Sequence, residues 1–268
     1  MAKVCVSEGK HGVNRMIGVF GGSGFYEFLE DAHEVEIDTP YGPPAAPLTV
    51  GTVEGAEVAF LPRHGADHQY PAHKVPFRAN VWAMKEAGVT CVIGPCAVGS
   101  LQAEIAPRSF VVCDQIFDAT RGRAGTFYDG PELEHLSFAD PYCEDLRGVA
   151  LDSLRQVGAT AHDGGTVVVI EGPRFSTRAE SAFFSRQGWH VINMTQSPEV
   201  QLTRELGMCF VNISVVTDYD AGVVSDAEPV THEEVLRQFA ASVDTLKSAV
   251  RVMIPAVAGS HTCKGEAP

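Results

Sequence analysis

The sequence predicts an α/β fold in one domain, a central sheet covered by helices on both faces. Short β-branched and apolar runs alternate along the chain with stretches whose apolar residues recur at three- and four-residue steps. No Pro-, Gly- or Ser-rich linker divides the 268 residues, a length that suits one large domain or two small ones, so one is expected.

The expected strands, in order, are residues 17–20, 58–61, 90–93, 110–114, 166–171, 190–193 and 209–217. Residues 75–88 carry Val81, Trp82 and Met84 and stop at Gly88, which predicts a first helix. Thr177-Arg178-Ala179-Glu180 has the spacing of a capping box and opens a second. Ser197-Pro198 sets an N-cap residue before a first-turn proline, opening a third helix that ends near Gly207. A further capping box, Thr231-His232-Glu233-Glu234, opens the last helix, with Val235, Phe239, Val243, Leu246 and Val250 along one face. Residues 118–145 are irregular and rich in aromatic and acidic side chains, so a long loop is expected there, and long loops tend to carry function. Residues 1–15 lack the apolar stretch of a secretory signal and read as a flexible N-terminal extension; residues 16–256 form the domain and 257–268 a C-terminal tail.

Hydrophobic residues make up 45% and charged residues 20%, as in a soluble globular protein, and no apolar run reaches the roughly 20 residues of a membrane helix. Twenty Lys plus Arg stand against 34 Asp plus Glu; the formal charge of −14 would repel a nucleic-acid backbone, so no polynucleotide partner is expected. The seven cysteines are odd in number and scattered through apolar runs, which reads as buried reduced thiols in a cytoplasmic protein.

Five separated segments bear on the chemistry. The first strand runs into Gly21-Gly22-Ser23-Gly24, where glycines admit an anion close to the backbone and Ser23 adds a hydroxyl; a plain structural turn is the alternative. The spacing fits neither a dinucleotide fingerprint nor a P-loop. Arg63-His64 follows a strand, where a guanidinium can grip two phosphate oxygens and an imidazole can add a hydrogen bond; a solvated loop is the alternative. Gly94-Pro95-Cys96-Ala97-Val98-Gly99-Ser100 reads as a turn of small residues leaving a buried strand, either a tight structural turn or a source of backbone N–H groups for the same anion. Asn193-Met194-Thr195 offers polar groups to a sugar. Asp218 and Asp220 flank Tyr219 at a strand end and so face one side, where two close carboxyls raise each other's proton affinity. One can then donate to N7 of adenine while the other accepts from its 6-amino group. His64, His68 and His73 lack the spacing of a metal site, and none is expected.

With these strings in order, and with Asp38-Thr39-Pro40-Tyr41-Gly42 and the run from Ile170 to Glu180, the sequence resembles the methylthioadenosine phosphorylase branch of the trimeric purine nucleoside phosphorylases, from about Ile17 to Ile254. The resemblance implies a mixed sheet ringed by helices. It implies phosphate among Ser23, Arg63, His64, Cys96, Ala97 and Thr195. Cys96 stands where family members often have a phosphate-binding Thr, so only backbone N–H contacts would remain there. The nucleoside would lie against Phe175, Ile192, Asn193 and Met194, with Asp218 and Asp220 on the base as the catalytic pair. Val235 and Leu236 would wall the 5′ end of the sugar, where His135 would arrive from a neighbouring subunit of a homotrimer. His232 stands where methylthioadenosine enzymes commonly have a small apolar residue, and where relatives that accept a 5′-hydroxyl have His; a solvated helix-start residue is the alternative.

The function expected is phosphorolysis of 5′-deoxy-5′-methylthioadenosine, or a close 5′-modified adenosine, with inorganic phosphate as co-substrate and no cofactor. The alternatives are an enzyme preferring adenosine, a 5′-halogenated adenosine or a 6-oxopurine nucleoside, a hydrolytic nucleosidase, and a non-catalytic nucleoside or phosphate sensor.

Overall fold

The structure, a computed structural model, describes residues 16–21, 29–224 and 231–260. Its strands are β1 (Met16–Gly21), β2 (Glu30–Val35), β3 (Leu48–Val53), β4 (Ala56–Pro62), β5 (Val89–Ser100), β6 (Phe110–Val112), β7 (Gln115–Ala119), β8 (Ala161–Asp163), β9 (Thr166–Ile170), β10 (Val191–Asn193) and β11 (Cys209–Tyr219). They lie side by side as β2-β3-β4-β1-β5-β10-β9-β7, and a branch leaves β5 through β11 to β6 and β8. The ladders of β1 with β4 and β5, and of β5 with β11, are parallel, whereas β5 with β10 and the β2-β3-β4 run are antiparallel, so the sheet is mixed.

The β5–β11 ladder is the spine, running from Cys91 opposite Cys209 to Ser100 opposite Tyr219. Along it alternate residues face opposite sides. Cys91, Ile93, Val211 and Ile213 join one core with Leu146, Leu154, Leu246 and Met253. Val92 and Phe210 join the other with Val81, Met84, Val200 and Leu202. The first core is therefore covered by α2 (Glu144–Gln156) and α5 (His232–Ser260), the second by α1 (Phe77–Glu86) and α4 (Gln196–Glu205). Each such fully buried side chain contributes roughly 1.5–3 kcal/mol.

Several expectations need correction. The segment Gly94 to Ser100 is not a turn but the second half of β5. Its small residues serve close packing: a Cβ on Gly94 would sit 2.5 Å from the Phe210 ring. Ser197 does not act as the expected cap, because its hydroxyl is taken by side chains, donating to Asp118 at 2.6 Å and accepting from the Gln201 amide at 2.8 Å, while regular helix resumes only after a kink at Pro198. The last helix runs on to Ser260 and buries Val257, so 257–260 is helix where a tail was expected. Its capping box is half formed: Thr231 Oγ1 accepts the Glu234 N–H at 3.3 Å, but the Glu234 carboxylate turns to Arg237. The other box is complete on α3 (Arg178–Arg186).

Residues 120–143 hold no helix or strand, in keeping with the expected loop. Its base is pinned. The Arg123 guanidinium, 5% exposed, donates to the carbonyls of Glu171, Met194 and Ser197 at 2.7, 2.8 and 2.6 Å, and Glu205 accepts from Thr126 and Phe127, each at 2.8 Å. Cys91, Cys96, Cys113, Cys143 and Cys209 are buried and form no disulfide; Cys5 and Cys263 lie outside the described residues. Among the described residues no helix is long and apolar enough to cross a membrane.

Candidate active site

The second half of β5, the ends of β4, β10 and β11, and the start of α5 enclose a cavity of about 530 Å³. Arg63, His64, Cys96, Ala97 and Thr195 line one part of its wall. Phe175, Ile192, Asn193, Met194, Asp218 and Asp220 line it too, as do His232, Val235 and Leu236. Ser23 lies outside the described residues, and His135 does not reach this cavity: it is exposed, in the loop beyond Arg123.

Arg63 departs from the expected free clamp. Its Nε and Nη2 donate to both carboxylate oxygens of Glu199, at 2.5 and 2.7 Å, and Nη1 donates to the Pro95 carbonyl at 3.0 Å. Burial works against the charge, but the Glu199 carboxylate and its hydrogen bonds outweigh that and hold the guanidinium firmly protonated. With three of its N–H groups engaged, Arg63 keeps one on each terminal nitrogen for a ligand. The bidentate fork faces a protein carboxylate, so an anion would meet the guanidinium from its other edge.

His64 Nδ1 lies 2.8 Å from the Tyr70 carbonyl, and its ring stacks on that of His68 with centroids 5.0 Å apart and planes 9° from parallel. Burial first, and then the neighbouring Arg63 charge, push the imidazole down to about 4 against the Tyr70 contact, so the ring is neutral at physiological pH. The Cys96 sulfur closes the floor beside them, accepting from Asn193 Nδ2 at 3.1 Å and Asn212 Nδ2 at 3.2 Å. Asn193 Oδ1 is buried without a partner among the described residues, on a side chain that lines the cavity.

At the end of β11 the two carboxyls have different surroundings. Asp218 is pushed up to about 6, chiefly by burial; the Thr217 hydroxyl, 2.6 Å from Oδ1, opposes the shift and the Asp220 charge adds to it. Asp220, 3% exposed, accepts the Ser176 hydroxyl at 2.6 and 2.5 Å on its two oxygens and donates its backbone N–H to the Ser100 carbonyl at 2.8 Å. Asp218 is thus poised to hold a proton, while both oxygens of Asp220 face the one Ser176 hydroxyl. Gly99 makes room between them: a Cβ there would lie 3.1 Å from Asp218 Oδ2 and 3.2 Å from Ile192.

Sequence reasoning missed Glu199, His68, Ser176, Thr217 and Phe239. Ser176 and Thr217 sit inside or beside quoted strings, and Phe239 lies one turn after Val235 on the same helix face. Glu199 carries no local signal, because its partner is 136 positions away. Among the described residues no group of three or more His, Cys, Asp or Glu side chains is placed to hold a metal ion.

The model of the phosphorylase superfamily matches residues 16–255. The S-methyl-5′-thioadenosine phosphorylase of Mycobacterium tuberculosis is 52% identical, the match covering 94% of each chain. The purine nucleoside phosphorylase of Streptomyces coelicolor is 51% identical, over 92% of this chain and 89% of its own. Among solved structures, methylthioadenosine phosphorylase from Schistosoma mansoni in complex with adenine superimposes with a TM-score of 0.89 at 34% identity, covering 94% of both chains.

Proposed function

Because this chain belongs to the phosphorylase superfamily, we propose that it cleaves 5′-deoxy-5′-methylthioadenosine with inorganic phosphate, releasing adenine and 5-methylthioribose 1-phosphate. The observation that carries this reading is the polarity of the cavity: anion donors at Arg63 on one wall, a protonatable carboxyl at Asp218 on another.

Phosphate would take the two remaining N–H groups of Arg63, with His64, Thr195 and the backbone at Cys96 and Ala97 around it, and Ser23 completing the cradle. Held there, it attacks C1′ of the ribose and screens the oxocarbenium-like charge that develops as the glycosidic bond breaks. Asp218 gives its proton to N7 of the departing adenine, while Asp220, held in place by Ser176, accepts from the 6-amino group. Phe175 and Met194 would hold base and sugar, and Asn193 Oδ1 is an acceptor in want of a hydroxyl. Val235, Leu236 and Phe239 offer an apolar wall to a methylthio group. Phosphate is a co-substrate, and no step requires a metal or organic cofactor.

A homotrimer is part of the proposal: His135 is exposed on a loop and does not line its own cavity, as a residue lent to a neighbour would be. A cytoplasmic location fits the five described cysteines, which are buried and form no disulfide. One observation favours a second reading, an enzyme for 5′-hydroxyl nucleosides: His232 lines the cavity beside Val235. Adenine release from methylthioadenosine, adenosine and inosine, each with and without phosphate, tests both. Strict phosphate dependence with methylthioadenosine turned over fastest is the expected result, and equal release without phosphate would replace phosphorolysis by hydrolysis.

A further inference from the structure

The tautomer of His64 is fixed by its partner. A backbone carbonyl only accepts hydrogen bonds, so the contact of 2.8 Å between Nδ1 and the Tyr70 oxygen requires the proton on Nδ1. Tyr70 returns its own N–H to the His64 carbonyl at 3.0 Å, which fixes the Tyr70 backbone beside the ring, so turning the imidazole over would lose the Nδ1 bond to its carbonyl. Arg63 and His68 are the ionisable groups acting on the ring; the charge of Arg63 opposes a second proton, and burial opposes it further. Nε2 has no protein partner among the described residues. It is therefore a bare acceptor on a side chain that lines the anion end of the cavity.

An oxygen of a fully deprotonated tetrahedral anion placed there sets one lone pair against another. An oxygen that carries a hydrogen makes an O–H···N bond instead. Arg63, whose fork is taken by Glu199, has two N–H groups left to offset such a clash. Resting on the phosphorolysis reading above, we propose that His64 makes this site selective for a tetrahedral oxyanion bearing a proton, hydrogen phosphate, over one bearing none, sulfate. At mildly alkaline pH both ions are dianions of similar size, so the proton on oxygen is what separates them. The discrimination expected from one satisfied against one opposed buried acceptor is about tenfold to a hundredfold in affinity.

The test is calorimetric titration of the full chain with inorganic phosphate and with sulfate at mildly alkaline pH, alongside sulfate inhibition of phosphate-dependent adenine release. Phosphate should bind at least about tenfold more tightly than sulfate. His64→Gln, which carries an N–H at its tip, should bring the two affinities together; so should His64→Ala, which removes the acceptor. Equal binding of the two ions by the unaltered protein overturns the proposal, as does a ratio unchanged in both folded variants. The outcomes separate the two claims. Preferential phosphate binding without turnover would sink phosphorolysis and leave the selectivity standing, whereas turnover with indifferent ion binding would do the reverse.

Discussion

Asp218→Asn should make the protein more stable at neutral pH while impairing its chemistry. The carboxyl is raised from 3.8 to about 6, so the folded chain holds this proton more tightly than the unfolded chain. Below pH 3.8 both states are protonated and the group is neutral to stability; as pH rises from there through about 6 the unfolded chain loses its proton first, and folding stability falls. Above that window the buried carboxylate costs roughly 3 kcal/mol, from about two pKa units at about 1.4 kcal/mol each. An amide carries no charge and keeps an oxygen for the Thr217 hydroxyl, but its NH₂ is newly buried at a cost of about 1 kcal/mol or more. The net gain is about 1–2 kcal/mol, or roughly 2–8 °C in Tm for a chain of this size. Thermal melts of both proteins at equal concentration, near pH 4 and at mildly alkaline pH, read it out. The variant should be the more stable at the higher pH, and this advantage should vanish or reverse at the lower one. Identical melts at the higher pH, or a gap independent of pH, would refute the reasoning that burial of an ionised Asp218 is what raises its proton affinity.

Other substitutions probe the remaining walls. Glu199→Ala strands the Arg63 charge in a buried setting and should cost about 3–5 kcal/mol in denaturant unfolding; a loss under 1 kcal/mol would mean that the guanidinium finds water or another partner. Asp220→Asn should move base preference from 6-aminopurine toward 6-oxopurine nucleosides, because an amide can donate to a carbonyl and a carboxylate cannot, and competing adenosine against inosine measures it. His232→Val should favour methylthioadenosine over adenosine by about tenfold to a hundredfold in relative kcat/KM, and an unchanged ratio would remove His232 from the 5′ contacts.

The strands rich in Val and Ile were legible because their periodicity is local, and so was α3, whose cap and first turn lie within four residues. β2 was not, since Glu30-Asp31-Ala32-His33-Glu34-Val35 is polar and largely exposed, and only its antiparallel pairing with β3 makes it a strand. α2 went unread beside an irregular loop, although Leu146, Ala150 and Leu154 carry the helical spacing. In the site, Arg63, His64, Asn193, Met194, Thr195, Asp218 and Asp220, named by short strings, line one cavity, because strand ends place neighbours in sequence as neighbours in space. What stayed hidden was pairing across the chain. Arg63 advertises a cation but not Glu199, and the second half of β5 reads as a turn until Phe210 shows why Gly94 must be small.

The loop between β7 and α2 is anchored through Arg123, Thr126 and Phe127, while Leu133, six residues beyond, is 74% exposed. Those anchors hold the base of the loop against the cavity wall, while Leu133 stands out in solvent. A protease cutting beside Leu133 would meet little protection, and the severed ends would leave the hydrogen bonds at Met194 and Ser197 untouched. The nicked chain should melt like the intact one. If the tip lends His135 to a neighbour, the damage surfaces one protomer away, as a catalytic defect in a subunit whose own backbone is whole.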